Sequence, residues 1–245
     1  MQFITPHWQA PNNVIALSTA RKGGYSLAPY DSFNLGLHVG DEQHLVEKNR
    51  QLLIEQGNLP YYPKFLNQIH STQVIELPNN DEVINADAAY TNQANQVCLV
   101  MTADCLPVLF TNFQGNEVAA AHAGWRGLCE GILENTVAKF SCPKNEIIAW
   151  LGPAISQRYF QVGQEVLNAF LAQDPHSHQA FSADKRENGK YFADLYQLAR
   201  FRLKALGINK IFGGEFCTYS ENDKFFSYRR DKQTGRMASL IWFTD

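Results

Sequence analysis

The spacing of its β-type segments constrains this chain more than any other feature. Short runs rich in β-branched or aromatic residues recur at Val14 to Ser18, Phe65 to Ile69, Val97 to Met101, Pro107 to Thr111, Glu117 to Ala121, Ile147 to Leu151, Asn209 to Phe212, Phe225 to Tyr228 and Ser239 to Phe243. Several are joined by connections too short for a crossover helix, which argues for mixed sheets and against a pure repeat of strand, helix and parallel strand. Helical signals are fewer. One runs from Asp41 to Gln56, with Asp41 as cap and Gly57 as stop. A second, Gly127 to Phe140, sets Leu128, Ile132, Leu133, Val137 and Phe140 on one apolar stripe. A third is near Glu165 to Gln173, and a fourth spans Leu195 to Leu206, between a cap at Asp194 and a stop at Gly207. The fold class expected is α/β in the broad sense (α+β), with mixed β-sheets flanked by helices.

No Pro/Gly/Ser-rich linker or internal repeat divides the 245 residues, so residues 1–245 are read as one catalytic-sized domain. A hydrophobic content of 45% excludes a disordered chain. Twenty-one Lys and Arg against 24 Asp and Glu give a net charge of -3, which argues against a nucleic-acid partner bound through its phosphates. The amino-terminal residues lack the basic and apolar regions of a secretory signal, and no apolar run approaches the roughly 20 residues that span a bilayer. A cytoplasmic protein with no membrane association is expected; no sequence signal specifies an oligomeric state. The five cysteines form an odd set without close pairs, a poor disulfide framework, so a cysteine with a role is a ligand or a nucleophile.

Three segments carry such a side chain just beyond a predicted strand: Phe65 to His70, Leu99 to Cys105 and Glu117 to His122. Side chains projected from several strand ends can meet over one crevice, so Cys105, His70 and His122 are candidates to converge. One thiolate and two imidazoles suit Zn²⁺, and three protein ligands leave a fourth position open, as in catalytic sites. Taken singly, each histidine is more often a hydrogen-bonded core residue than a ligand. His176 and His178 lie in a polar run that reads as a solvated loop, and Cys98, Cys129 and Cys142 read as small buried or incidental residues.

Thr102-Ala-Asp-Cys-Leu-Pro-Val-Leu109 and Ala121-His-Ala-Gly-Trp-Arg-Gly127 resemble the two signature blocks of the YfiH family, also called laccase-domain or polyphenol-oxidase-like proteins. Arg21 to Ser26, Asn34 to Asp41, Gln68 to His70, Leu151 to Pro153, Phe225 to Asp231 and Thr234 to Arg236 are similar to further family blocks, in the expected order. The resemblance implies mixed sheets flanked by helices and a zinc site made by His70, Cys105 and His122. One departure is Ser71, where family members often have Gly. It also implies a purine nucleoside enzyme that splits adenosine, inosine, guanosine or methylthioadenosine with phosphate and can deaminate adenosine. The partners are then small molecules, a purine nucleoside and phosphate.

Within that reading Arg126, at the start of a helix whose N-terminus favours anions, is the first phosphate candidate, and Arg21, beside Gly23 and Gly24, the second. A surface arginine and a turn residue are the alternatives. Asn34 and His38 are candidates to line the pocket. Asp104 is a candidate catalytic residue, as a partner for a histidine ligand or a proton carrier, with hydrogen bonding to its own tight bend as the alternative. Arg229 and Arg230 lie among aromatics able to stack on a purine, and read otherwise as a solvated edge strand.

A hydrolase with Cys105 as nucleophile and His122 or His70 as base is the strongest different mechanism, and would suit the cell-wall (peptidoglycan) precursor editing to which the same family is linked. A copper-dependent polyphenol oxidase conflicts with seven histidines and one His-x-His pair, although Cu²⁺ competes well for such ligands. A cytidine-deaminase-type enzyme fails because neither His-x-Glu nor Pro-Cys-x-x-Cys occurs. A nucleoside-sensing module is the non-enzymatic alternative.

Overall fold

The computed structural model describes residues 3–81 and 83–245. Its strands are β1 (Phe3–Ile4), β2 (Val14–Thr19), β3 (Val74–Glu76), β4 (Ala88–Thr91), β5 (Cys98–Thr102), β6 (Leu106–Asn112), β7 (Val118–Ala123), β8 (Ile147–Leu151), β9 (Gln161–Gly163), β10 (Phe181–Ala183), β11 (Lys190–Ala193), β12 (Lys210–Gly213) and β13 (Met237–Phe243). The helices are α1 (Gln43–Gly57), α2 (Trp125–Glu130), α3 (Ile132–Val137), α4 (Gln164–Gln173), α5 (Leu195–Ala205) and α6 (Tyr228–Asp231). None of them is long and apolar enough to cross a membrane.

A six-stranded sheet in the order β12-β8-β6-β7-β4-β3 combines antiparallel central pairs with parallel pairs at both edges, as the short central connections require. A four-stranded antiparallel sheet, β1-β2-β13-β5, packs on one of its faces, and a small sheet, β10-β11-β9, stands apart. The alternation along the strands explains the layering. Cys98, Val100 and Ile241 of the four-stranded sheet meet Leu109, Ala120 and Trp150 of the six-stranded one in a shared core. The alternate residues Leu99, Leu240 and Trp242 face outward onto Leu53 of α1. On the far side of the larger sheet, Val108, Phe110 and Ala121 pack on Leu128, Ile132, Phe170 and Leu198 from α2 to α5. The result is helix, sheet, sheet, helices.

The expected helix over 127–140 is two helices, broken at Gly131, whose φ of 107° is the left-handed conformation that glycine tolerates. The first helix starts at Gln43, not Asp41, because the Asp41 carboxylate is engaged by Asn34 Nδ2 and the Glu42 N–H. Asp194 does cap α5, accepting from the Gln197 N–H. Two expected strands are not strands. Phe65 to Ile69 is a loop with a single parallel bridge from Asn67 to Asn85. Phe225 to Tyr228 enters a one-turn helix capped by Ser227, with Phe225 and Phe226 fully buried. The edge-strand reading of that run is therefore corrected, since Phe225 and Phe226 are core residues and only Tyr228 is exposed.

Candidate metal centre

The site forms at one end of the two packed sheets. Only Ala103, Asp104 and Cys105 separate β5 in the smaller sheet from β6 in the larger, so Cys105 sits where the chain crosses between layers. Asp104 takes a φ of 94° to make that crossing. His122 lies near the end of β7, directly across from Pro107 of β6, and Ala88 at the start of β4 pairs with Ala121. Register thus brings the ends of β5 and β7 together with the starts of β4 and β6.

Asp87, the residue before β4, organises the histidines. It is fully buried, and its Oδ1 accepts from His122 Nδ1 at 2.7 Å and from the His70 N–H at 3.1 Å. Its Oδ2 accepts from the Ile69 N–H, the Ser71 N–H and Ser71 Oγ at 3.2, 2.6 and 2.7 Å. Five donors on one carboxylate hold the loop that carries His70, itself at a φ of 61°, against the strand that carries His122. Gln68 anchors the same loop to β5, donating to the Met101 carbonyl and accepting from the Met101 N–H. Ser71, the departure noted in the sequence, is thus one of the carboxylate's donors.

The donor atoms of His70, Cys105 and His122 all lie within 4.8 Å of one another, with Cys105 Sγ 3.8 Å from His70 Nε2. Tetrahedral zinc with bonds of about 2.0–2.3 Å needs such atoms about 3.3–3.8 Å apart, so a small contraction would close the set around one ion. The Asp87 bond occupies His122 Nδ1 and leaves Nε2 for a ligand role. Gly124 is required beside it. A Cβ there would lie 2.7 Å from His70 Cδ2 and 3.1 Å from Cys105 Sγ.

Electrostatics favour the ligand form of the thiol and, until an ion displaces the proton, the charged form of His122. Burial alone would raise the Cys105 thiol, but the charge and hydrogen bond of His122, followed by His70, bring it down to about 6. Burial would likewise lower His122, yet Cys105 and Asp87 raise it to about 9. Burial also pushes the Asp87 carboxyl up, and the hydrogen bonds from His122 and Ser71 overcome it and hold the group below its ordinary value. Without an ion, Cys105 and His122 form a thiolate and imidazolium pair.

The three residues open on a cleft of about 450 Å³ whose other walls include His38, Tyr228 and Arg236. His38 stands at its rim, its pKa lowered by burial and by Arg236 and Arg50. Arg236 donates to the carbonyls of Thr234 and Gly235, with its guanidinium 5.9 Å from the centre of the Tyr228 ring.

Other predicted residues lie elsewhere. Asp104 touches neither histidine: its Oδ1 accepts from Thr218 Oγ1 and its Oδ2 from the Arg229 N–H, so the role of histidine partner passes to Asp87. Arg126 is exposed, its guanidinium over the Trp125 ring, and does not line the cleft. Arg21 is turned to Asp31 and the Asn222 carbonyl, 5.0 Å over Phe226. Asn34 is buried behind the wall, where its Oδ1 accepts from the Arg236 and Gly36 N–H groups. Arg230 is bonded to the carbonyls of Thr218, Tyr219 and Phe225. His176 and His178 are exposed as expected, but on a short 3-10 helix, Pro175–Ala180, and not in a loop. Sequence reasoning missed Asp87 and the position of Arg236; Asp87 carried no signal, because the strand it precedes, Ala88–Thr91, was itself not expected.

Residues 15–244 match the family model described as multi-copper polyphenol oxidoreductase laccase. A Haemophilus influenzae protein named purine nucleoside phosphorylase is 58% identical over 99% of this chain and 100% of its own length. Purine nucleoside phosphorylase YfiH of Escherichia coli is 55% identical over 98% of each chain. Among solved structures, Neisseria meningitidis protein NMB0706 superposes with a TM-score of 0.95 at 49% identity over the full length of both chains. YlmD of Geobacillus stearothermophilus superposes with a TM-score of 0.90 at 28% identity, covering 98% of this chain and 100% of its own.

Proposed function

Since the chain belongs to the laccase-like YfiH family, we propose that it is a zinc-dependent purine nucleoside phosphorylase that cleaves adenosine, inosine, guanosine and methylthioadenosine, with adenosine deamination as a second activity. The observation that carries this reading is the meeting of His70, Cys105 and His122 on a cleft of nucleoside size that also presents a cation and an aromatic ring. His70, Cys105 and His122 would hold Zn²⁺, which when bound would supply Lewis-acid chemistry to the cleft.

The chain's own residues account for the remainder. Arg236 offers its guanidinium to phosphate, the anion that must stand beside the sugar. Tyr228 offers a ring face to the purine. Phosphorolysis forms a bond from a phosphate oxygen to C1′ and breaks the bond from C1′ to the base nitrogen, whose electron pair leaves with the base. His38, kept neutral at pH 7 by its lowered pKa, can hydrogen-bond a sugar hydroxyl or the leaving base without adding charge. Asp87 keeps His122 in a fixed tautomer and orientation throughout.

A thiol hydrolase is the second reading, because the lowered Cys105 thiol and raised His122 are what nucleophilic catalysis uses. The two differ over metal: a hydrolase stays active in chelator and loses activity on alkylation of Cys105. Several copper centres, as in phenol oxidation, would need more ligands than the one three-residue group found among the described residues. The deciding assay follows free base released from adenosine, inosine and methylthioadenosine, with and without phosphate, for wild type and His122→Ala. Phosphate-dependent release that disappears in the variant is expected; turnover that survives it overturns the reading.

A further inference from the structure

A second cleft, of about 720 Å³, lies across the Tyr228-Arg229 segment from the metal centre. Tyr228 lines the first cleft and Arg229 the second, while Asp104 fixes the Arg229 backbone between them. Its walls come from β9, β10 and β11 and from the turn at Gln157–Tyr159. Nothing in the proposed reaction uses it.

Its composition is specific. Arg158, Arg186 and Arg229 line it, and none of its lining residues is acidic. Arg186 is paired with Asp184, and Asp184 and Glu187 also bind Gln161, so these carboxylates stand at one edge. The other two arginines have no carboxylate partner among the described residues. Arg158 is exposed, 5.6 Å from the Tyr159 ring centre. Arg229 uses Nη1 on the carbonyls of Gln161 and Tyr159, at 2.8 and 3.4 Å, which leaves Nε and Nη2 free to donate. Tyr159 and Tyr219 stack face to face, 4.5 Å apart and 17° from parallel, and Phe192 supplies a further ring on the wall.

Guanidinium groups without carboxylates bind phosphate through paired, charge-assisted hydrogen bonds, and aromatic walls take a planar ring. From this juxtaposition we propose that the cleft is a second ligand site, separate from the metal centre, that binds a nucleoside monophosphate, its phosphate on Arg158 and Arg229 and its base on the tyrosine side. Stacked rings already ordered by packing lose little freedom on binding.

The test is calorimetric titration of the full, metal-loaded chain with AMP, adenosine and inorganic phosphate. Wild type should bind AMP more tightly than either fragment, and more weakly as salt rises. Arg158→Glu, at an exposed side chain with no hydrogen bond to lose, should weaken AMP binding by about tenfold or more and leave nucleoside turnover unchanged. Arg236→Ala should leave AMP binding at this cleft intact. No AMP binding by wild type, equal binding of phosphate alone, or loss in Arg236→Ala but not in Arg158→Glu would each overturn the proposal. Because the readout is binding, its failure is distinguishable from failure of the phosphorylase reading.

Discussion

Replacing Asp87 by Asn tests whether the metal centre depends on a residue that touches no substrate. The side chain keeps its shape but turns one acceptor oxygen into an amide donor. If the amide oxygen stays on His122 Nδ1 and the His70 N–H, the new NH₂ faces the N–H groups of Ile69 and Ser71, which lose their acceptor. Ser71 Oγ can reverse its role and accept. Each orphaned buried donor costs about 1–3 kcal/mol, and the lower end applies because Ile69 is exposed and Ser71 half-buried, so water replaces part of the loss. The sum, about 2–3 kcal/mol of stability, is large but tolerable for a domain of this size. The larger consequence is for the ligands. The loop carrying His70 loses its anchor to the His122 strand, and the imidazole loses the carboxylate that raises its basicity, changes of the kind that cost about 10–100-fold in metal affinity. Competition for zinc against a chromophoric chelator, at a temperature where both proteins are folded by circular dichroism, measures this directly. A variant that binds zinc within about twofold of wild type would refute the view that Asp87 pre-forms the site.

Further outcomes follow from the same geometry. Gly124→Ala should lower metal affinity by about tenfold or more while shifting the melting temperature of the metal-free protein little, because its Cβ would press on His70 and Cys105 at the cleft and not on the core. In metal-free protein, Cys105 should be alkylated by iodoacetamide at a rate that rises through pH about 6, against about 8.5 for an ordinary thiol. The lowered thiol contributes stability that is lost as pH falls through about 6, and the raised His122 contributes stability that is lost as pH rises through about 9. Chelated protein should therefore melt highest between those limits, and a flat profile would count against the ion pair. Arg236→Ala should raise the phosphate KM by about tenfold or more, whereas Arg126→Ala should leave it unchanged.

The central strands were legible because alternation along β5, β6, β7 and β13 places one set of side chains between the sheets and the other under helices. Strands β3 and β4 were not, since Val74–Glu76 is only three residues and Ala88–Thr91 has weak strand propensity, and both form because partners are already in place. Convergence of His70, Cys105 and His122 was readable as three reactive side chains at the ends of three expected strands, although the segment before His70 is a loop and His122 lies within β7. Their organiser was not: Asp87 lies 35 residues from His122, and in sequence an acid after Asn85-Ala86 looks like any turn residue. The arginines failed for a related reason. A helix was expected from Gly127, two residues after its observed start at Trp125, and sequence does not say that Arg126 turns outward over Trp125, nor that Asn34 brings in Arg236 from 202 residues away.

Asp104 shows why a residue beside a reactive cysteine need not be chemical. A non-glycine residue at a φ of 94° carries backbone strain of about 1–3 kcal/mol, which a glycine at this position would relieve. Aspartate fits instead because both carboxylate oxygens are used, one on Thr218 and one on the Arg229 N–H, and its own carbonyl accepts from the Ile155 N–H. Those bonds fix the three-residue link between the sheets while it turns Cys105 toward the histidines. Asp104→Gly should therefore relax the backbone and still lose cysteine positioning, so that zinc affinity falls although the local strain is gone. An Asp104→Gly protein with wild-type zinc affinity would show instead that the turn alone, without its anchors, places the ligand.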